Sequence, residues 1–141
     1  MVKKIVQFIL ALVLCAGIAF GYSFWRGKQT SAFINKQMEI YYDLFDQGYF
    51  RSIYDRLTSA GLREGTSAED FKAYLHDKHM RLGQHQTTNS NDWVLTYHLG
   101  QDKHFSSTHK SLYRRGKSVD QVLWIREGRY WKIDRLEINP Y

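Results

Sequence analysis

The hydrophobic rhythm of this chain changes once, at Gly83, and that change dictates a fold class. Upstream, apolar residues recur with the period of a helix. Ile34, Met38, Tyr41 and Phe45 stand at i, i+4, i+7 and i+11, with Tyr42 widening the stripe. Gly48 follows as a stop. Phe50, Ile53, Tyr54 and Leu57 repeat the pattern for a shorter second helix, and Thr58 to Gly65 reads as a loop. Thr66 to Asp70 supplies hydroxyl caps and first-turn acids for a third helix. Its face is Phe71, Tyr74, Leu75 and Leu82, and Gly83 ends it. Downstream the period is two. Trp93, Leu95, Tyr97 and Leu99 alternate with Val94, Thr96 and His98, which marks a strand. Gly100 to Asp102 is a turn, Phe105 to Tyr113 a polar strand, Val119 to Arg126 an apolar strand and Arg129 to Ile138 the last one. Gln84 to Asn91 adds a weak edge strand.

Helices followed by an antiparallel meander predict an α+β domain, with three helices packed on a curved antiparallel sheet of about four strands. Val122 and Trp124 point one way in that sheet, Leu123 and Ile125 the other. Trp131 and Ile133 likewise oppose Tyr130, Leu136 and Ile138. Both faces then carry large apolar groups. One packs on the helices, and the outer one calls for a cover, such as a protein partner or a second copy in a homodimer.

The N-terminus carries a separate signal. Lys3 and Lys4 precede an uncharged run from Ile5 to Trp25, and about 20 apolar residues in a helix cross a bilayer. Residues 1–25 read as a membrane anchor whose lipid-facing side chains include Ile5, Phe8, Leu10, Leu12, Leu14, Ile18, Phe20 and Trp25. Tyr22 and Trp25 suit the headgroup layer. The lysines stay inside, which places the domain across the membrane. A cleaved signal peptide is the main alternative, with small residues at Gly17-Ile18-Ala19 and Ala19-Phe20-Gly21. Leu12 to Cys15 resembles a lipobox, but Leu14 stands where that motif takes Gly, Ala or Ser. Residues 26–31 read as a polar linker whose Thr30 or Ser31 caps the next helix, and residues 32–141 as one domain.

Composition narrows the function. One cysteine excludes an internal disulfide and a cysteine-based zinc site. Without residues 1–25 the chain carries 18 basic and 14 acidic residues, a mild excess with no basic stripe. That balance does not support nucleic-acid binding. Aromatic residues are 16% of the chain, but most fall on the periodic core faces and pack before they stack on any ligand.

The order of an amphipathic helix, Gly48 to Leu57, Ser67 to Leu75, the Leu82-Gly83 stop and Val122 to Asp134 resembles the nuclear transport factor 2-like (cystatin-like) superfamily. The likeness runs over about residues 32–138 and is nearest to small bacterial envelope members. It implies a sheet curved round a long helix, leaving a cone-shaped pocket. It also implies a bacterial inner-membrane protein with its domain in the periplasm, or a periplasmic one after cleavage. Superfamily members include isomerases, cyclases and dehydratases as well as binding and assembly modules, and fold does not decide between these.

No catalytic motif matches position by position, so no catalytic residue is assigned. Ser111 to Ser118 mimics a phosphate-binding loop but lacks its first glycine and the following helix. Arg114, Arg115 and Lys117 read instead as a solvated hairpin tip. His76 and His79, three apart on a helix, with His85 nearby, lack a fixed third ligand, so no metal is assigned. His98, His109 and Asp134, with Tyr97 and Tyr113, are acid–base candidates on the strands, and read first as sheet-surface polar residues. No cofactor is expected. The preferred reading is a non-catalytic, membrane-anchored or exported accessory module. It binds a partner or a small apolar ligand through Tyr41, Phe45, Tyr54, Trp93, Tyr97 and Trp131. The alternatives are a small isomerase or cyclase using a polar group in the cone, and a subunit of a larger envelope assembly.

Overall fold

The computed structural model describes residues 2–96 and 104–141, and the chain separates into two compact units, residues 1–33 and 34–141. Helix α1 spans Val2–Asp46, so its apolar part lies in the first unit and its last turns in the second. Ile5, Phe8, Leu10, Leu12, Leu14, Ile18, Phe20 and Trp25 are all more than half exposed, and the helix is long and apolar enough to cross a membrane. Residues 26–31 are helical rather than a linker, so Thr30 and Ser31 cap no helix start. The physical reason is plain. Arg, Lys and Gln favour helix, proline is absent there, and a single Gly27 costs only about 1 kcal/mol.

The second unit has the expected order, with one more helix. Ile34, Met38, Tyr41, Tyr42 and Phe45 of α1 are buried, as are Phe50, Ile53, Tyr54 and Leu57 of α2 (Phe50–Leu57). The stretch read as a loop contains a short helix, α3 (Ala60–Gly65). It carries no apolar stripe, which is why periodicity misses it. It starts because the Ser59 hydroxyl accepts the Leu62 N–H at 3.0 Å. In α4 (Ala68–Leu82) the Ser67 hydroxyl caps the Asp70 N–H at 3.1 Å, and Phe71, Leu75 and Leu82 are buried.

Four antiparallel strands follow in the order β1-β2-β3-β4: β1 His85–Thr96, β2 His104–Tyr113, β3 Gly116–Glu127 and β4 Tyr130–Pro140. The weak edge strand and the Trp93 strand are thus one element. The expected turn at Gly100–Asp102, with Tyr97, His98 and Leu99, lies outside the described residues. The helices cover one face, and a single core joins both layers: Phe105, Tyr113, Val122, Trp124, Trp131, Ile133 and Ile138 pack with the helix residues above.

One expectation about the faces is corrected. Leu123 pairs with Arg135, but Trp124 pairs with Ile133, which leaves Asp134 as the extra residue of a bulge. The bulge shifts the phase of β4. Trp131 and Ile133 face the core before it, and Ile138 is buried on the same side after it, with Leu136 partly buried. The displaced Asp134 carboxylate accepts the Ser59 hydroxyl at 2.5 Å, so it anchors the start of α3. The Ser59 N–H also donates to the Ile133 carbonyl at 2.8 Å, and part of the β4 edge is covered.

Candidate functional site

The inward face of β2 reads Phe105, Ser107, His109, Ser111, Tyr113, all buried. The inward face of β3 reads Ser118, Asp120, Val122, Trp124, also buried. Register pairs Ser111 with Ser118, and His109 with Asp120. A polar lane therefore crosses the covered side of the sheet, between the aromatic ends of β2. His109 is not a sheet-surface residue, as its sequence context suggested. It is almost fully buried and within 2.9 Å of the Ser107 hydroxyl, which also accepts the Trp124 indole N–H at 2.9 Å.

Asp120 has no exposed surface and organises the lane. Tyr42 of α1 and Tyr113 of β2 donate to its Oδ2 at 2.8 and 2.9 Å, and the Ser118 hydroxyl donates to Oδ1. The network extends outward. Tyr42 Oη lies 2.7 Å from Ser111 Oγ, which is 3.2 Å from Thr88 Oγ1, itself 2.7 Å from His85 Nε2. With Tyr42 donating to Asp120, one direction satisfies every hydroxyl: His85 to Thr88 to Ser111 to Tyr42 to Asp120. His85 also stacks flat on the Tyr42 ring, centroids 3.8 Å apart, and its backbone N–H donates to Asp46 Oδ1 at 2.7 Å.

These environments move the titrations in one direction for the phenols and the other for the imidazoles. Burial, then the Asp120 charge, pushes the Tyr42 hydroxyl well above its usual range. Burial also raises Tyr113, reinforced by Tyr41 and Asp120, and it raises Tyr41. Burial lowers His109 to about 4, against a smaller opposing pull from Asp120. It lowers His85 as well, opposed by Asp46, Asp120 and Asp43. All three phenols and His109 are neutral at pH 7.

Outside this network lies a cavity of about 350 Å³ between α1 and the sheet. Its walls are Asn35, Met38, Glu39, Tyr42 and Asp43 from α1, His85 and Thr88 from β1, and His109 from β2. Seven of these eight side chains are polar, and none is lysine or arginine.

The residues expected to line a pocket lie elsewhere. Tyr41 and Phe45 stack on each other at 5.8 Å inside the core. The Tyr41 hydroxyl is buried without a hydrogen-bond partner among the described residues. Tyr54 packs on Phe71 and donates to the Thr66 carbonyl at 2.7 Å. Trp93 stacks on Phe105 at 5.7 Å, and Phe105 meets the edge of Trp131 at 6.1 Å, so this trio closes one end of the core. None of these five lines the cavity, and Tyr97 lies outside the described residues. Tyr42, which the sequence marks only as widening a stripe, is the aromatic residue in the cavity wall. Asp120 was missed outright. Strand parity carried its signal, since Asp120 stands two positions before Val122 on the inward face.

The hairpin tip at Arg114 and Arg115 is held as well as solvated. Their N–H groups donate to the Gln84 and Leu82 carbonyls at 2.8 and 2.9 Å, and so fasten it to the end of α4. His76 is exposed, while His79 sits against the Phe45 and Phe50 rings. Comparison with family models, curated proteins and solved structures finds no match to this chain.

Proposed function

We propose that this chain is a non-catalytic, membrane-tethered binding module whose domain lies on the extracytoplasmic side of a bacterial inner membrane. Its ligand is small and polar, rather than the small apolar one expected from the sequence. One observation carries the reading: most residues lining the cavity are polar, and one of them, Tyr42, is fixed from behind by a carboxylate that does not itself line the cavity. A catalytic base must touch the proton it removes, and Asp120 does not line the space. His109 does line it, but at about 4 its basicity is poorly matched to neutral pH. Tyr42, held by Asp120, gives the cavity a preorganised wall, which suits recognition. The nuclear transport factor 2-like cone is part of the same proposal, supported by the helix-first order and by a cavity between the long helix and the sheet.

Native mass spectrometry of the full-length chain in detergent micelles, after incubation with a periplasmic small-molecule extract, tests the reading. A small adduct is expected on the native chain and not on Asn35→Trp, which fills the cavity. An adduct unaffected by Asn35→Trp, or none at all, rejects it. The intact mass also tests the tether: the uncleaved chain is 16.7 kDa. Protease treatment of spheroplasts tests sidedness, and a domain degraded only after lysis is on the wrong side for this proposal.

A further inference from the structure

We infer that the edge of β4 beyond Asp134 is a docking strip for a short extended peptide of a partner protein, which pairs with the Leu136 main chain and sets an apolar side chain in the slot beside it. β4 ends the sheet, so one side of it has no neighbouring strand. The chain itself shows what that side accepts. Thr58 bridges Ile133 in parallel, and the Ser59 N–H donates to the Ile133 carbonyl at 2.8 Å. This added segment stops after one bridge, because Ser59 caps α3 and the chain coils away.

Beyond the bulge the edge is open. Backbone groups of an antiparallel strand face its neighbour and the outside at alternate residues. The Ile138 N–H donates to the Tyr74 hydroxyl at 2.8 Å, so Ile138 faces outside. Leu136, two positions earlier, faces outside with it. Among the described residues no hydrogen bond reaches the Leu136 N–H and C=O or the Ile138 C=O from that side. Unpaired edge groups are a template for another strand. The Thr58–Ser59 segment blocks the strip at one end, and Pro140, with no N–H, stops pairing at the other. A long strand of a second copy therefore does not fit, and a few extended residues do. The same edge borders a cavity of about 470 Å³. Leu62 of α3, Phe71 and Tyr74 of α4 and Leu136 supply its apolar lining. Gly65 also lines it and leaves open space where a Cβ would stand. A free main-chain strip beside an apolar slot is the pattern of strand addition: hydrogen bonds hold the peptide backbone, and the slot selects a side chain.

The probes are acetylated, amidated pentapeptides that alternate threonine with valine, leucine or phenylalanine, each titrated into the full-length chain in dodecyl maltoside micelles. Without peptide, the Leu136 amide is expected to exchange with solvent faster than the Glu137 amide, which faces β3. At least one peptide is expected to shift the Leu136 resonance saturably and to slow its exchange, whereas forms N-methylated at every amide leave it unmoved. Gly65→Trp fills the slot and is expected to weaken that peptide about tenfold, with the urea midpoint unchanged because a Cβ there meets open space. The N-methylated arm reads the same pairing without any substitution. Slow Leu136 exchange in the absence of peptide, whether its own chain or a second copy covers the edge, overturns the inference. Silence from all the peptides, equal binding by the N-methylated forms, or equal affinity in Gly65→Trp also overturns it. None of these outcomes bears on the polar cavity beside α1, which shares no lining residue with this slot.

Discussion

Tyr42 and Asp120 stand 78 positions apart in the chain and meet at 2.8 Å in its interior. The first lies in the last turns of α1 and the second on β3, so one hydrogen bond sets the rotation of those turns against the middle of the sheet. An apolar pair would allow sliding. A buried carboxylate that needs three hydroxyl donors allows far less.

Removing those donors one at a time grades the cost. Tyr113→Phe deletes one charge-assisted hydrogen bond and leaves Asp120 with two donors, and about 2 kcal/mol of stability is expected to go. Asp120→Asn places an amide donor against hydroxyls that already donate, and about 3 kcal/mol is expected to go. Urea unfolding of the full-length chain in micelles gives both values. Equal midpoints for native chain and Asp120→Asn would show that the network does not hold the fold.

Acid should weaken the domain through His109. Its imidazole titrates at about 4 when folded and near 6.5 when unfolded. Between these values the unfolded chain binds the proton and the folded chain does not. Stability therefore falls as pH drops from about 6.5 to 4, by about 3 kcal/mol at most. His85, also lowered, adds to the same trend. Urea midpoints at pH 7 and pH 4.5 should differ less in His109→Gln than in the native chain, since carboxylate titration is common to both.

Two glycines should respond unequally to alanine. Gly128 has φ +61° with open space where a methyl group would stand, so Gly128→Ala costs about 1 kcal/mol. Gly83 pairs φ 75° with ψ −158°, a region nearly restricted to glycine. A Cβ there would also stand 3.2 Å from Arg115 Nε and 3.4 Å from Arg114 Cβ. Gly83→Ala is expected to cost about 3 kcal/mol. Thermal midpoints measured side by side decide whether that ordering holds.

The proposed tether rests on the apolar half of α1, which is long and apolar enough to cross a membrane. Leu12→Arg puts a charge near the middle of the run at about 3 kcal/mol. Carbonate extraction of membranes should leave the native chain in the pellet and release much of the variant. Equal retention would mean that another part of the chain makes the attachment.

Strand parity and helical period made most of the architecture legible. The stripe from Ile34 to Phe45, the α2 face, the Gly83 stop and the three later strands all follow from residue spacing. Helix α3 was hidden because in Ala60 to Gly65 only Leu62 packs against the core, which makes no stripe, and the helix is held by a cap and a carboxylate 75 positions from Ser59. Helicity through residues 26–31 was hidden because polar composition reads as a break, although Arg, Lys and Gln form helices readily.

The site was less legible for a different reason. Hydrophobicity marks what packs, and so it pointed to Tyr41, Phe45, Trp93 and Trp131, which do pack. Ser107, His109, Ser111 and Asp120 read as solvent-facing by residue type. Their positions share the parity of Phe105, Tyr113, Val122 and Trp124, which faces inward. Where type and parity disagree, burial goes with parity, and the disagreement marks the polar site.

The extra residue at Asp134 has a consequence for how this chain can vary. Every side chain from Leu136 onward owes its orientation to one odd insertion, so chain length between Ile133 and Leu136 can change only in steps of two. Losing a single residue there would turn Ile138 toward water and release the carboxylate that starts α3. Relatives of this chain should therefore preserve an even number of residues between the positions of Ile133 and Leu136, even where the residues themselves differ.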